Sequence, residues 1–478
     1  MKIVVTGATG FIGRALVLRL LRDRHDVTAL VRSVAAAPGK LGAGVAVVDL
    51  ADRAARTRAV EQADAIINLA GENILDGRWT AARKQALRAS RLDTTRALVD
   101  AIAARATPLP VLVSASAVGW YGDRGDDLLD EDEPPATNFT ATLVRDWEAA
   151  AHAARAHCGR VVLARIGVVL GAGGGALATL APLFRCGLGG PIAGGKQWMP
   201  WIHLDDVVEA LVFALTSSAL DGPVNLVAPN PATNRQVSAA VGAALHRPSW
   251  LPTPGFAVRL TLGARAHVVL DSQRVRPTAL ERAGFEWRHP DLGEAVTEAL
   301  VGEADAVQNT GAPGHLPDSA YLAERRPRYT LRSTTIVDRP LEEVFEFFSA
   351  AQNLGAITPA DMAFTIAGAV PAMAPGAVID YRVRALGVTL AWRTVIDAWE
   401  PPAADGARFV DSQIRGPYRC WWHEHRFERA GERTIMHDTV HYAPPFGPLG
   451  VIANHVVVAS ELRRIFAQRA RAIRLRFG

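Results

Sequence analysis

Cysteine is scarce. There are three in 478 residues, Cys158, Cys186 and Cys420, far apart and with no CxxC pair. That excludes a zinc ribbon and a disulfide framework, and it fits a reducing compartment; a cytoplasmic protein is expected. No apolar run is long enough to span a bilayer, and because the chain starts on a strand pattern no secretory leader is expected. A surplus of one charge is missing too. Against 52 basic residues stand 48 acidic ones, a formal net charge of +4, with no Lys/Arg block. Arginines at helical spacing among alanines read as solvated helix faces, so no nucleic-acid partner is expected. What is there, 49% hydrophobic and 21% charged residues, is a globular composition, and the length calls for two domains.

Residues 1–13, MKIVVTGATGFIG, organise the first half. Ile3, Val4 and Val5 form a short apolar run suited to a strand buried on both faces. Thr6 opens a loop with glycines at 7, 10 and 13. From Phe11 onward, Ile12, Ala15, Leu16, Leu18, Leu20 and Leu21 draw the apolar stripe of a helix. Strand, glycine loop, helix is the layout that sets a dinucleotide pyrophosphate on a helix N-terminus. Gly7 permits the tight turn, Gly10 lets backbone N–H groups approach phosphate, and Gly13 lets helix and strand pack closely. Gly7, Thr9, Gly10, Phe11, Ile12 and Gly13 are therefore candidate cofactor contacts.

A second strand is predicted over 27–31. In NAD-preferring sites an acidic residue near its end holds the ribose hydroxyls; here Arg32 and Ser33 follow. Arginine suits a 2′-phosphate, so NADP is expected in preference to NAD. After a third strand, 45–48, Asp49 and Leu50 stand where an adenine ring would lie. A fourth, 65–68, runs into Leu69, Ala70 and Gly71, small enough on the whole for the chain to pass close to a cofactor. A helical stretch over 80–105 returns to a fifth strand at 111–114. This alternation predicts a doubly wound parallel α/β sheet of the Rossmann kind.

TGATGFIG at 6–13, NLAGE at 68–72, SASAVGWYG at 114–122 and WIHLDDV at 201–207 resemble the extended short-chain dehydrogenase/reductase superfamily. GRWTAARKQALRASR at 77–91, RIGVVLG at 165–171 and GPVNLVAPNPATN at 222–234 narrow the resemblance to its NAD-dependent-epimerase-like family, over roughly residues 1–300. The resemblance implies a catalytic serine, matched by Ser116, and a Tyr-x-x-x-Lys pair on the next helix. In the matching helix, 135–154, Phe139 and Leu143 stand in those two places. Neither transfers a proton, and losing a general acid–base costs about 10²–10⁴ in rate. Tyr121 is the nearest replacement; packing in a tight loop is its other reading. Asp205 and Asp206 read first as helix N-caps, against a catalytic role. The glycine cluster at 171–175 is expected as a loop above the sheet's C-terminal edge.

Over 302–327 the apolar period disappears, and Gly311, Pro313, Gly314 and Pro317 crowd together. This reads as a linker between domains at 1–301 and 328–478. Beyond it come a strand, a short helix from Pro340, five long alternating segments and a closing helix with Leu462, Ile465, Phe466 and Ile473 on one side. That order predicts an α+β helix-grip domain with an antiparallel sheet. RPLEEVFEFFSAAQNLGAITP at 339–359, GPYRCWWHEHRFE at 416–428 and DTVHYAPPFGPLG at 438–450 resemble the START-type polyketide cyclase/dehydrase and lipid-transport (SRPBCC) superfamily. The resemblance implies an apolar cavity and an apolar small-molecule ligand. His423 and His425 share a strand face, with His437 and His441 on the next strand. Their spacing is that of any strand face and fixes no carboxylate partner, so no metal site is expected. Asp438 is a buried polar anchor if its face is the inner one, and a solvated carboxylate if not.

The sequence thus points to an NADP-dependent oxidoreductase or epimerase-like protein. It would act on an apolar small molecule bound or delivered by the helix-grip half. The other reading, kept open by Phe139 and Leu143, is a non-catalytic NADP(H)-responsive ligand-binding protein. The oligomeric state is open.

Overall fold

Val, Ile and Leu dominate the strands of the first half, and such segments are stable only when both faces are covered. Seven of them pair side by side: β1 (Lys2–Thr6), β2 (Asp26–Val31), β3 (Val45–Asp49), β4 (Ala65–Asn68), β5 (Leu109–Ala117), β6 (Cys158–Ile166) and β7 (Gly222–Leu226). All neighbours are parallel, in the order β7-β6-β5-β4-β1-β2-β3. The computed structural model describes residues 1–42, 44–171, 174–301, 307–314, 316–368, 371–385 and 388–477. It divides into two compact units, the first comprising Met1–Ala37 and Gly44–Leu300 and the second Pro38–Ala43 and Val301–Gly478.

The helices that cover the sheet include α1 (Phe11–Arg22), α2 (Arg53–Glu61), α3 (Ala81–Ala103), α4 (Phe139–His152) and α5 (Leu204–Thr216). Asp52, Thr80 and Asn138 cap α2, α3 and α4 by accepting the backbone N–H of Ala55, Arg83 and Ala141. At α1 the cap position is Gly10, which has no side chain to offer. The cap of α5 is His203, not an aspartate: its Nδ1 accepts the N–H of Asp205 at 3.2 Å. Asp206 instead accepts the N–H groups of Arg288 and His289, at 2.7 and 3.2 Å, and so ties down a segment distant in sequence. Of the glycine cluster at 171–175, residues 172–173 lie outside the described residues, and Gly175 already opens a helix, Gly175–Arg185.

In the second unit the period-two alternation builds one antiparallel sheet. Its strands are β8 (Val307–Gly311), β9 (Tyr329–Val337), β10 (Thr365–Ile366), β11 (Val378–Ala385), β12 (Val388–Ala403), β13 (Gly406–Arg415), β14 (Cys420–Ala430) and β15 (Arg433–Ala443). They run in the order β8-β9-β15-β14-β13-β12-β11-β10. The helix α6 (Leu341–Ser349) packs Val344, Phe345 and Phe348 against Phe409, Phe427 and Met436. The long α7 (Ala459–Phe477) brings Leu462, Phe466, Ile473 and Phe477 to the same sheet face. This is the expected helix grip.

The stretch 302–327 is not irregular throughout. Residues 302–306 and 315 lie outside the described residues, but β8 pairs with β9, and Ala320–Arg325 is a short helix. Leu322, 1% exposed, packs with Val410, Cys420 and Trp422 on the face of the sheet opposite α7. An edge strand needs backbone partners rather than an apolar period, and one short helix covers a small patch with few apolar residues. Neither leaves a periodic signal. No helix among the described residues is long and apolar enough to cross a membrane.

Candidate functional site

The strand order reverses between β1 and β4, and ligands of open α/β sheets bind at the carboxyl ends of the strands at such a point. Gly7 follows β1 there with φ of +65°. A Cβ on Gly7 would come within 2.5 Å of the Leu69 carbonyl oxygen, and one on Gly13 within 2.2 Å of the Gly7 carbonyl oxygen. The glycines thus let three pieces of backbone close on one another. The N–H groups of the first turn of a helix have no intrahelical partner, and at α1 no side chain caps them. Phe11 is overlaid by the glycine-rich loop: a Cβ on Gly174 would meet its ring at 2.3 Å. A concave backbone cradle at a helix N-terminus fits a pyrophosphate.

The other expected contacts lie along the same carboxyl edge. Arg32 directly follows β2, with its side chain 77% exposed and Nη1 3.4 Å from Glu72 Oε1. An exposed ion pair of that length holds a guanidinium weakly. Asp49 ends β3 and accepts the N–H of Ala51 at 2.9 Å. Leu50 follows, its carbonyl taken by Arg56. Leu69, Ala70 and Gly71 leave β4, with the guanidinium of Arg91 over Gly71, where a Cβ would meet Cζ at 3.2 Å.

Ser116 and Tyr121 both belong to a buried polar chain. Ser116 is 3% exposed, and its hydroxyl donates to Glu148 Oε1 at 2.5 Å. Glu148 also receives a forked pair from Arg165, Nε to Oε1 at 2.9 Å and Nη2 to Oε2 at 3.1 Å. Arg165 Nη1 donates to the Tyr121 hydroxyl at 3.1 Å, and that hydroxyl donates to Asn225 Oδ1 at 2.7 Å. Tyr121 is fully buried, and burial pushes its phenol up to about 12. Tyr121 thus shows no surface open to a substrate. Its ring fills an apolar cluster with Val118, Leu129, Val227 and Val275, and both hydrogen-bonding directions of its oxygen are used. This is the packing reading.

Phe139 opens α4, and Leu143 is buried with Leu92, Ala115 and Trp147. Beside Phe139 stands a group the sequence reading did not single out. Lys84 of α3 places Nζ 4.9 Å from the Phe139 ring centroid, and Trp79 meets the ring edge-on at 5.0 Å. A cation thus sits over the Phe139 ring, delivered from another helix. Lys84 lies inside the 77–91 segment already noted, but nothing in its local pattern pairs it with Phe139.

The second unit holds a cavity of about 360 Å³. Trp392, Tyr418, Trp421 and Phe466 line its apolar wall, and Asp411, His423, His425 and Arg469 its polar end. Asp438 lies on the inner face, 3% exposed. His423 Nε2 is 3.1 Å and His425 Nδ1 2.7 Å from its Oδ1. Despite burial, Arg469 and the two imidazoles hold the Asp438 carboxyl well below the usual carboxylate range. Burial pulls His423 down to about 4. His441 faces the opposite side, buried beside Trp422, with Nδ1 2.9 Å from the Thr330 hydroxyl. The four histidines do not converge; two of them converge with two aspartates.

The strand order and the glycine cradle at its reversal define the first unit as a Rossmann-type α/β protein. The chain belongs to the NAD dependent epimerase/dehydratase family, whose model matches residues 3–226. A domain of unknown function, DUF1731, matches 253–299. The chloroplastic epimerase family protein SDR39U1 homolog of Arabidopsis thaliana is 41% identical over 303 residues, covering 62% of this chain and 86% of that protein. Epimerase family protein SDR39U1 of Homo sapiens is 38% identical over 305 residues, 63% of this chain and all of the human one. The crystal structure of the human protein with NADPH matches with a TM-score of 0.55 at 36% identity, over 63% of this chain and 99% of that one.

Proposed function

We propose that the first unit is an NADP(H)-dependent oxidoreductase or epimerase-like enzyme, and that the second unit, a START-type domain, binds or delivers its apolar substrate. The observation that carries the reading is the cradle of Gly7, Gly10 and Gly13 at a helix with no side-chain cap. The human relative, solved with NADPH, supports the same cofactor. The first-turn N–H groups of α1 hold the pyrophosphate, and Arg32 clamps the 2′-phosphate. Leu69, Ala70 and Gly71 border the nicotinamide side. NADPH supplies a hydride to a carbonyl carbon, and Lys84 gives a proton to the carbonyl oxygen. An ammonium has donors and no acceptor, so this arrangement favours reduction over oxidation. Ser116 orders Glu148 from inside and does not touch substrate. Three unpaired cysteines, two of them buried, accord with a reducing, cytoplasmic setting.

Calorimetry is expected to show NADPH binding more tightly than NADH. Arg32→Asp removes a charge-assisted contact worth about 1.5–3 kcal/mol, so it weakens NADPH by about 10- to 100-fold and leaves NADH little changed. Equal affinities in the wild type would sink the assignment of Arg32.

Native mass spectrometry of the purified chain identifies what the second-unit cavity retains, and that compound is assayed by NADPH oxidation. Lys84→Met lowers the rate by about 10²–10⁴ while NADPH affinity is kept. An undiminished rate would remove Lys84 from the reaction. One observation favours a second reading, binding without turnover: Phe139 and Leu143 leave α4 without a proton donor or a ribose-orienting lysine. Tight NADPH binding with no consumption of any retained compound supports that reading.

A further inference from the structure

In the second unit, strand register builds a cluster that no local motif announces. Asp411 on β13 stands directly opposite His423 on β14, and His425 stands opposite Asp438 on β15. All four side chains point to the inner face. The two aspartates have different tasks. Asp438 Oδ1 lies near one nitrogen of each ring, His423 Nε2 at 3.1 Å and His425 Nδ1 at 2.7 Å. His425 Nδ1 is also 3.3 Å from Arg469 Nη2, a donor to which it can only accept; metal binding would select the other tautomer, with the proton on Nδ1 toward Asp438 Oδ1 at 2.7 Å. In that tautomer, with His423 also donating to Asp438, lone pairs remain on His423 Nδ1 and His425 Nε2.

Both of these nitrogens face Asp411 Oδ1, each at 3.6 Å. That is too long for a hydrogen bond. Two imidazole lone pairs and a carboxylate oxygen converge on one point, an arrangement that repels unless a cation lies between them. The three donor atoms fall within 4.8 Å of one another. Ligand atoms bound at about 2.1 Å to a tetrahedral or octahedral ion lie about 3.0–3.4 Å apart, so small side-chain rotations close the site. A carboxylate behind each metal-binding histidine is the usual arrangement for fixing the tautomer and orienting the ring. Asp438 serves both rings at once. The histidines are 5% and 4% exposed, and the side faced by Asp411 opens on the cavity.

We propose that Asp411, His423 and His425 bind one divalent transition-metal ion, with Asp438 as their positioning residue. Two histidines and one carboxylate leave further coordination positions, as suits zinc or non-haem iron. These positions face the apolar cavity. The ion would hold the oxygen-bearing end of an apolar ligand, such as a carboxylate or enolate, while Trp392, Trp421 and Phe466 hold the rest. This last step rests on the ligand-binding reading of the second unit; the metal site itself does not.

The test uses the full chain, stripped with a chelator and titrated with Co²⁺ and Zn²⁺ alone. The expected result is one equivalent of Zn²⁺ by calorimetry, a visible ligand-field band with Co²⁺, and a rise in melting temperature on loading. The double variant His423→Gln/His425→Gln lowers affinity by about 100-fold or more, and Asp438→Asn by about 10- to 100-fold. His437→Gln, on the exposed opposite face, leaves binding unchanged. Asp411→Asn keeps the shape of a partly exposed side chain and serves if the histidine variant unfolds; it abolishes the Co²⁺ band. The proposal is overturned if the stripped wild type takes up no stoichiometric metal, or if Asp411→Asn binds it as tightly as the wild type. Metal binding with no retained apolar compound would overturn only the ligand reading.

Discussion

Glu148→Ala is expected to lower the stability of the first unit by about 3–5 kcal/mol, the usual consequence of leaving one member of a buried ion pair alone. Arg165 is 2% exposed and cannot lose its charge. Its guanidinium stacks at 4.0 Å over the Trp120 ring and donates to Glu148, Tyr121 and the Glu131 carbonyl. Removing Glu148 leaves that charge without a counter-ion and Ser116 without an acceptor. Thermal unfolding followed by circular dichroism should show the first-unit transition falling by on the order of 10 °C. Glu148→Leu combined with Arg165→Met recovers part of the loss, because an apolar pair needs no desolvation of charge. Recovery is incomplete, since the Glu131 carbonyl then lacks its donor. A single-variant loss under about 1 kcal/mol would show that water reaches this pair.

Gly13→Ala is expected to weaken NADPH binding by about 100-fold or more, about 2.8 kcal/mol or above, and to destabilise the first unit as well. The added Cβ meets backbone, the Gly7 carbonyl oxygen at 2.2 Å and Ala8 Cα at 2.8 Å, so no side chain can turn aside. Overpacking of this kind costs about 1–3 kcal/mol even where some relief is possible. Gly10→Ala separates the two effects. Its Cβ would come only within 3.1 Å of the Gly7 oxygen, so the fold is largely kept while the new methyl crowds the phosphate approach. Fluorescence titration with NADPH, alongside melting curves, reads both quantities. NADPH affinity within twofold of wild type in Gly13→Ala would place the cofactor elsewhere.

The parallel-sheet half was legible because its signals are local. Glycine spacing, the apolar run before it and the helical stripe after it all lie within the first 22 residues. The antiparallel half was legible from alternation. The surroundings of Tyr121 are not legible for a physical reason: its hydroxyl donates to Asn225, 104 positions away on β7. Adjacency to Ser116 in sequence says nothing about which side of the sheet a hydroxyl meets. The grouping around the histidines is out of reach of the sequence for the same reason. Asp411 and Asp438 reach them only through the register of three hairpin-connected strands, and a one-residue slip would send every partner to the other face.

That Phe139 and Leu143 stand in place of a tyrosine–lysine pair is what the family resemblance implies; the order of elements, the two sheet types and the glycine motif are carried by the residue string unaided. These depend on residue type and on spacings of a few positions, which the backbone's own periodicities translate directly into structure. Packing alone joins Ser116 and Tyr121 in a buried polar chain, lays Lys84 over Phe139, and gathers Asp438 behind the two histidines that, with Asp411, line the polar end of a cavity. Such groupings join side chains from separate elements. They come into being only when strand register and helix docking set the distances, and no short-range pattern carries that information.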